Sequence, residues 1–378
     1  MSQIRPSMPA GMADRLTLSS PGALLAAIPH LLGFPPRNSV VLVGLDADAT
    51  GRESIRLTQR FDLPPADLRG EDVRALAQAA TAPMVASGSS TVIVTVFGDG
   101  EPGATGLTAT TELVDRLIEA LDDQGVWIKD ALYTDGVSRW SYGCENPSCC
   151  PREGMPISDE LRTMIAAEFT GVGAAMSPSR QSVIDEVAGD PARISRLEPL
   201  LDGAVAPDGE LETWRDESID QILDTRQVAA PSDEQTARIL AGLQDVRVRD
   251  TVLWELAHDT SGQDAVISAM TTALRGAPTG HVAPVATCLA IQHWTRGDGV
   301  RANACLDRAI EDDPDYSLAG MVSTAVGRGL PPSSWTDVMR QLDRDACRMG
   351  PAPEATTPEA ATPAPAIARR STAPSLAS

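Results

Sequence analysis

Lysine is almost absent from this chain. Of 31 cationic residues in 378, only Lys129 is a lysine. So even an emptying of the surface reads as a genomic bias, because a selected role for arginine would act at particular sites. Aromatic residues are also scarce, at 3%, so a core has to be built from Ala, Leu, Val and Ile. There is no run of about 18 apolar residues of the kind that spans a bilayer. The amino end, MSQIRPSMPAGMADRLTLSS, has no apolar signal core. These absences predict a soluble, cytoplasmic protein that is not embedded in a membrane. In a reducing compartment the six cysteines are then not a disulfide framework. Positive charge is short as well: 31 Lys and Arg face 52 Asp and Glu, a formal net charge of −21. That argues against nucleic acid as a partner, since binding it needs cations to displace counterions. It also disfavours anionic membrane surfaces. A basic protein partner, or plain solubility, fits the charge.

Catalytic signatures are missing too. The four histidines, His30, His258, His281 and His293, are scattered, with no H-E-x-x-H pair and no Ser/His/Asp order. His30, beside Pro29, is expected to bond last-turn carbonyls at a helix end. The stretch Gly98 to Gly106 follows an expected strand, where phosphate loops occur. It lacks the spacing of either phosphate motif, and Asp99 and Glu101 would repel phosphate. It therefore reads as a surface loop. Asp312-Asp313-Pro314-Asp315 lacks the glycine of a calcium loop and reads as a helix-ending turn. No catalytic or cofactor-binding residue is assigned.

The apolar pattern predicts two regions. Residues 1–15 form a flexible arm. Over 16–202 the pattern is helix, hairpin, helix, strand, helix, hairpin, an α/β N-terminal domain with a mixed sheet. Ser20 caps the first helix, Pro21 occupies its first position, and Pro29 ends or kinks it. Ser39 to Leu45 is a buried strand. It forms a hairpin with Glu53 to Leu63, which places Ile55, Leu57, Gln59 and Phe61 on one face. Helices follow at 72–86 and 110–121, strands at 90–97, 127–133 and 138–142. A helix over 158–170 leads through Gly171 and Gly173 to two helical pieces around Gly189 and Pro191. Gly203 to Gly209 is the expected boundary loop. Over 211–349 the pattern is all-α, with eight short antiparallel helices, the last running from Ser334 to Arg348. Leu289 to Pro314 matches a tetratricopeptide-like hairpin, with small residues between the helices, as well as it matches an ordinary helical hairpin. Residues 350–378, rich in Pro, Ala and Thr, cannot bury a core and are expected to be disordered.

The densest chemistry is RWSYGCENPSCCPREG, Arg139 to Gly154, with three of the six cysteines. Three readings stay open. Cys144, Cys149 and Cys150 could contribute three ligands to zinc, although adjacent side chains tend to diverge. They could form a reactive thiol site near Arg139 and Arg152. They could also be small side chains packed beneath the sheet, which is the reading preferred on spacing alone. Trp140 and Tyr142 read as core anchors.

Three segments resemble the actinobacterial domain-of-unknown-function family 4192. They are LSSPGALLAAIPHLLGFPPRNSVVLVGL (18–45), the W-S-Y-x-C-x4-C-C-P-x-x-G pattern of Trp140 to Gly154, and RGDGVRANACLDRAIEDDPDYSLAGMVSTAVGRGLPP (296–332). The resemblance runs over roughly 16–349. It implies a cytoplasmic actinobacterial protein and makes the cysteine segment a family feature. It transfers no reaction, ligand or catalytic residue. The expectation is therefore a non-enzymatic interaction or scaffold protein acting through its helical region on an unidentified protein partner, without a cofactor. The alternative is a zinc- or thiol-dependent site, enzyme or redox sensor, at Cys144, Cys149 and Cys150.

Overall fold

The computed structural model describes Ile4–Arg5, Leu18 and residues 20–349, except 50, 100–102, 145, 172–175 and 228–229. The rest of the expected arm, the tail at 350–378, part of the expected 98–106 loop and Gly173 lie outside the described residues.

The first helix, α1 (Pro21–Leu32), begins as expected. The Ser20 hydroxyl accepts from Ala23 N, Pro21 opens the helix, and Gly33 closes it at φ +76°. Pro29 does not end it. The Leu25 carbonyl loses its helical partner, but Leu24, Ile28 and Leu32 are buried against the sheet, and packing carries the final turn past the proline.

Strands β2 (Ser39–Ala47) and β3 (Glu53–Asp62) form the expected hairpin. The sheet also contains β1 (Ile4–Arg5), β4 (Thr91–Phe97), β5 (Trp127–Thr134), β6 (Ser138–Ser141) and β7 (Met155–Pro156). Its order is β1-β3-β2-β4-β5-β6-β7. β2 runs antiparallel to β3 and β4. β4 and β5 are parallel, and β6 turns back along β5. The mixed sheet is thus as read from the pattern, with β1 taken from within the expected arm and paired parallel to β3.

One expectation about β3 fails. Gly44 pairs with Leu57, and Leu45 pairs with Ile55. Arg56 is therefore an extra residue in the ladder, a bulge that reverses the facing of everything before it. Ile55 packs on the α1 side, while Leu57 and Phe61 pack on the opposite side.

Two layers of helices cover the sheet. α1 and α4 (Asp159–Gly171) lie over Val41, Val43, Leu45, Ile93 and Leu132. α2 (Glu71–Ala86) and α3 (Gly103–Asp122) lie over Val40, Leu42, Val92, Val94 and Val96. Strands buried on both faces account for their unbroken apolar runs. Gly103 and Gly106 are not loop residues: α3 begins at Gly103, and both glycines lie under the rings of Trp140 and Tyr133.

α5 (Arg180–Val187) joins the two regions. Val183 lies in the core beneath α1 and α4, and Val187 lies in the helical core. Arg301 of α12 (Gly299–Asp312) reaches back 2.8 Å to Glu186. Beyond α5 the described residues are helical: α6 (Pro191–Leu201), α7 (Leu211–Asp224), α8 (Asp233–Gln244), α9 (Val246–His258), α10 (Gln263–Gly276), α11 (Val282–Thr295), α12 and α13 (Ser317–Gly327). α6 precedes the expected boundary loop, yet it contributes Leu197 and Leu201 to this core. α11 and α12 pack through Ala286, Ala290, Ala302, Cys305 and Ala309, all fully buried. Small residues permit that approach. α12 ends at Asp312 as expected, and its carboxylate takes on a further task. It accepts from Gly280 N, Val282 N and Ala283 N, capping α11 from the neighbouring helix. The single last helix expected from Ser334 to Arg348 is instead two, α14 (Ser333–Gln341) and α15 (Arg344–Met349). Asp343 interrupts it by accepting from Asp345 N at 2.7 Å, an N-cap inside the run.

Candidate functional site

The Trp140–Gly154 segment leaves β6 and returns to β7. Trp140 clamps its far end: the indole Nε1 donates to the Arg152 carbonyl at 3.0 Å, and a Cβ on Gly154 would lie 2.5 Å from the ring. Gly154 has φ +83°, so its backbone also favours glycine. The Tyr142 hydroxyl meets Thr110 Oγ1 on α3 at 2.6 Å. Both aromatic residues thus anchor the start of the loop to the core, as the sequence suggests.

The loop folds back at Asn146. Its carbonyl accepts from Cys149 N and Cys150 N, and its side-chain oxygen accepts from Ser148 N. This turn sets Cys149 Sγ 3.1 Å from Cys144 Sγ. Cys150 joins them, and the three sulfurs lie within 4.8 Å of one another. Adjacent residues 149 and 150 converge because they close a turn; in an extended strand they would point to opposite faces.

Packing beneath the sheet does not describe these cysteines. Cys149 is exposed, Cys144 and Cys150 are half-buried, and none belongs to a core cluster. The buried thiols are Cys288 and Cys305, in the helical core. The hydrogen bond from Cys149 holds the Cys144 thiol below the ordinary range, and the same bond pushes Cys149 up. Burial, followed by its two thiol neighbours, pushes Cys150 up to about 12.

Three thiols at these separations fit a soft or borderline metal ion. Around a tetrahedral zinc with bonds of about 2.3 Å, sulfurs lie ~3.8 Å apart. The Cys144–Cys149 pair would open slightly, and every pair stays within the observed limit. Arg152 also offers its backbone carbonyl to Trp140.

A second concave site was not legible in the sequence. It lies at the carboxyl ends of the parallel strands β4 and β5, where α/β sheets commonly hold ligands. A cleft of about 620 Å³ opens there between Phe97–Asp99, Thr134–Gly136, the Pro35–Arg37 turn, and helices α1 and α4. His30 faces it, stacked on Phe169 with ring centroids 4.9 Å apart. Desolvation lowers its pKa. The expected bond from His30 to last-turn carbonyls is replaced by this stack. A second histidine, His293, is buried in the helical region, and desolvation lowers its pKa to about 4. The signal available in the sequence was only that Phe34 to Arg37 and Gly98-Asp99 follow a helix and a strand that the sheet brings together.

The chain belongs to the family described as Domain of unknown function (DUF4192), whose model matches residues 21–333. Both the thiol cluster and the cleft lie inside the matched stretch. No curated protein and no solved structure matches the chain.

Proposed function

We propose that this member of the family binds a zinc ion through the thiolates of Cys144, Cys149 and Cys150, with the fourth coordination position open. The observation that carries the proposal is the convergence of three surface sulfurs within 4.8 Å. A redox dithiol needs only two sulfurs, whereas a metal site uses the third. The Asn146 turn and the Trp140 clamp hold the loop ends, so part of the ordering cost of binding is met before the ion arrives. When bound, the ion would act as a Lewis acid with room for water or a fourth donor. Three thiols must lose protons on binding, so affinity should fall as the pH is lowered.

Elemental analysis of protein purified under reducing conditions, with a count of free thiols, tests this. One zinc per chain is expected, lost in Cys149→Ser and kept in Cys347→Ser, which alters a cysteine outside the cluster. Metal-free protein that forms a Cys144–Cys149 disulfide on mild oxidation would replace the metal reading with a thiol-redox one.

A second reading, a protein-interaction role for the helical region, is favoured by where apolar side chains are exposed. Among the described residues, eight of the twelve exposed large hydrophobic side chains follow α6, and five of those, Met321, Leu330, Val338, Leu342 and Met349, lie in α13 and beyond. With a net charge of −21, the complementary partner is a basic amphipathic segment. A labelled basic amphipathic peptide should bind in a salt-sensitive manner and weaken in a Met321→Asp/Val338→Asp variant. Binding unchanged by those substitutions counts against this surface.

A further inference from the structure

The thiol loop lies near the amino end of β5, where Cys144 feels the charge of Asp130. The cleft is at the other end of that strand, so the two sites are chemically independent. We propose that the cleft at the carboxyl ends of β4 and β5 binds a small organic monocarboxylate with an apolar body.

Size comes first. About 620 Å³ falls within the ordinary range of small-molecule sites. The walls supply an apolar body's contacts through Leu25, Pro29, Phe97 and Ile157. Phe97 and Ile157 are nearly fully buried and so are rigidly placed.

Charge comes next. Arg162 is aimed by backbone: Nε donates to the Ile157 carbonyl at 3.3 Å, and Nη2 to the carbonyls of Gly136 at 2.6 Å and Val137 at 3.3 Å. Among the described residues its carboxylate neighbour is Asp159, 3.9 Å from Nε. Nη1 has no acceptor among the described residues. Arg37 also lines the cleft, and its guanidinium has no partner among the described residues. Two guanidinium groups with open donors on one cleft suit a planar carboxylate, which accepts paired N–H bonds.

The acids on the cleft limit the ligand's charge. Asp135 is engaged in its own turn, accepting from Val137 N at 2.8 Å and Ser138 N at 2.7 Å. Asp99 is exposed at the rim. With Asp159 beside Arg162 as well, the cleft's two cations have no surplus for a dianion, so one negative charge fits better than a phosphate. The neutral His30 ring adds a hydrogen-bonding edge without adding charge.

The test is a calorimetric titration of the full chain with benzoate, 4-methylpentanoate and indole-3-acetate, alongside phenyl phosphate and benzyl alcohol. At least one carboxylate should bind, and benzyl alcohol should bind at least ~10-fold more weakly than benzoate. Arg162→Gln should weaken carboxylate binding by about 10-fold or more. Because Arg162 also braces the Gly136 turn, Arg37→Gln provides a second variant whose side chain supports nothing else. It should weaken binding several-fold. Hydrogen exchange should slow at 97–99 and 134–136 on binding. The proposal is overturned if none of the three carboxylates binds, if phenyl phosphate binds more tightly than benzoate, or if both arginine variants bind as the parent does.

Discussion

Replacing Gly106 by alanine is expected to destabilise the protein by about 3 kcal/mol, measured by chemical denaturation under reducing conditions. On helix propensity alone the change would help by roughly 1 kcal/mol, since Gly106 lies within α3. The close approach decides the sign. The new Cβ would fall 1.9 Å from the Tyr133 hydroxyl oxygen and 2.4 Å from Cζ. Tyr133 is 1% exposed and cannot swing into solvent. Its ring is set against Trp140 at 5.9 Å, and a Cβ on Gly98 would lie 2.1 Å from the same hydroxyl. The ring is therefore gripped between the end of β4 and the first turn of α3. Relieving the clash means lifting α3 from the sheet. Gly320→Ala is the matched control. It too is helical, but nothing lies within 4 Å of its Cβ position, so it should stabilise by up to about 1 kcal/mol. Equal effects at the two sites would show that the glycines of α3 are not there for clearance.

The second large effect is expected at Trp140. Trp140→Ala should cost about 3–5 kcal/mol, the usual range for emptying a buried large aromatic site. It removes the wall against which Gly103 and Gly154 are shaped, and the donor to the Arg152 carbonyl. That bond holds the far end of the cysteine loop, so zinc affinity should fall as well, by roughly 10–100-fold as when other supports of a metal site are lost. Trp140→Phe separates the two contributions. It keeps much of the ring but loses the Nε1 bond, so the stability loss should shrink while part of the affinity loss persists. Zinc affinity unchanged in both variants would mean that the loop holds its own shape without the clamp.

Much of this architecture follows from local signals. Ser20 and Pro21 start α1 because a hydroxyl acceptor and a fixed φ suit a helix start. The apolar runs of β2 and β4 are unbroken because both faces of the sheet are covered. From Leu211 to Gly327 the helices fall within a residue or two of their periodicity. The failures are places where a distant partner outweighs the local preference. Packing carries α1 through Pro29, and a bulge at Arg56 sends Ile55 to the opposite side of the sheet from Leu57. Glycines that look like loop residues begin α3 because two rings lie on them.

The sites divide in the same way. Sequence alone singled out Cys144, Cys149 and Cys150, because three cysteines within seven positions are conspicuous wherever they fold. It could not show that a turn at Asn146 brings the sulfurs together at the surface, since convergence depends on backbone direction over a few residues. The cleft was invisible at that level. Arg37, Phe97, Asp135 and Arg162 are far apart in the chain, and each is unremarkable in its own segment. They meet only because β2 runs antiparallel to β4 while β5 runs parallel to it, which brings the start of one strand and the ends of the other two to the same edge of the sheet.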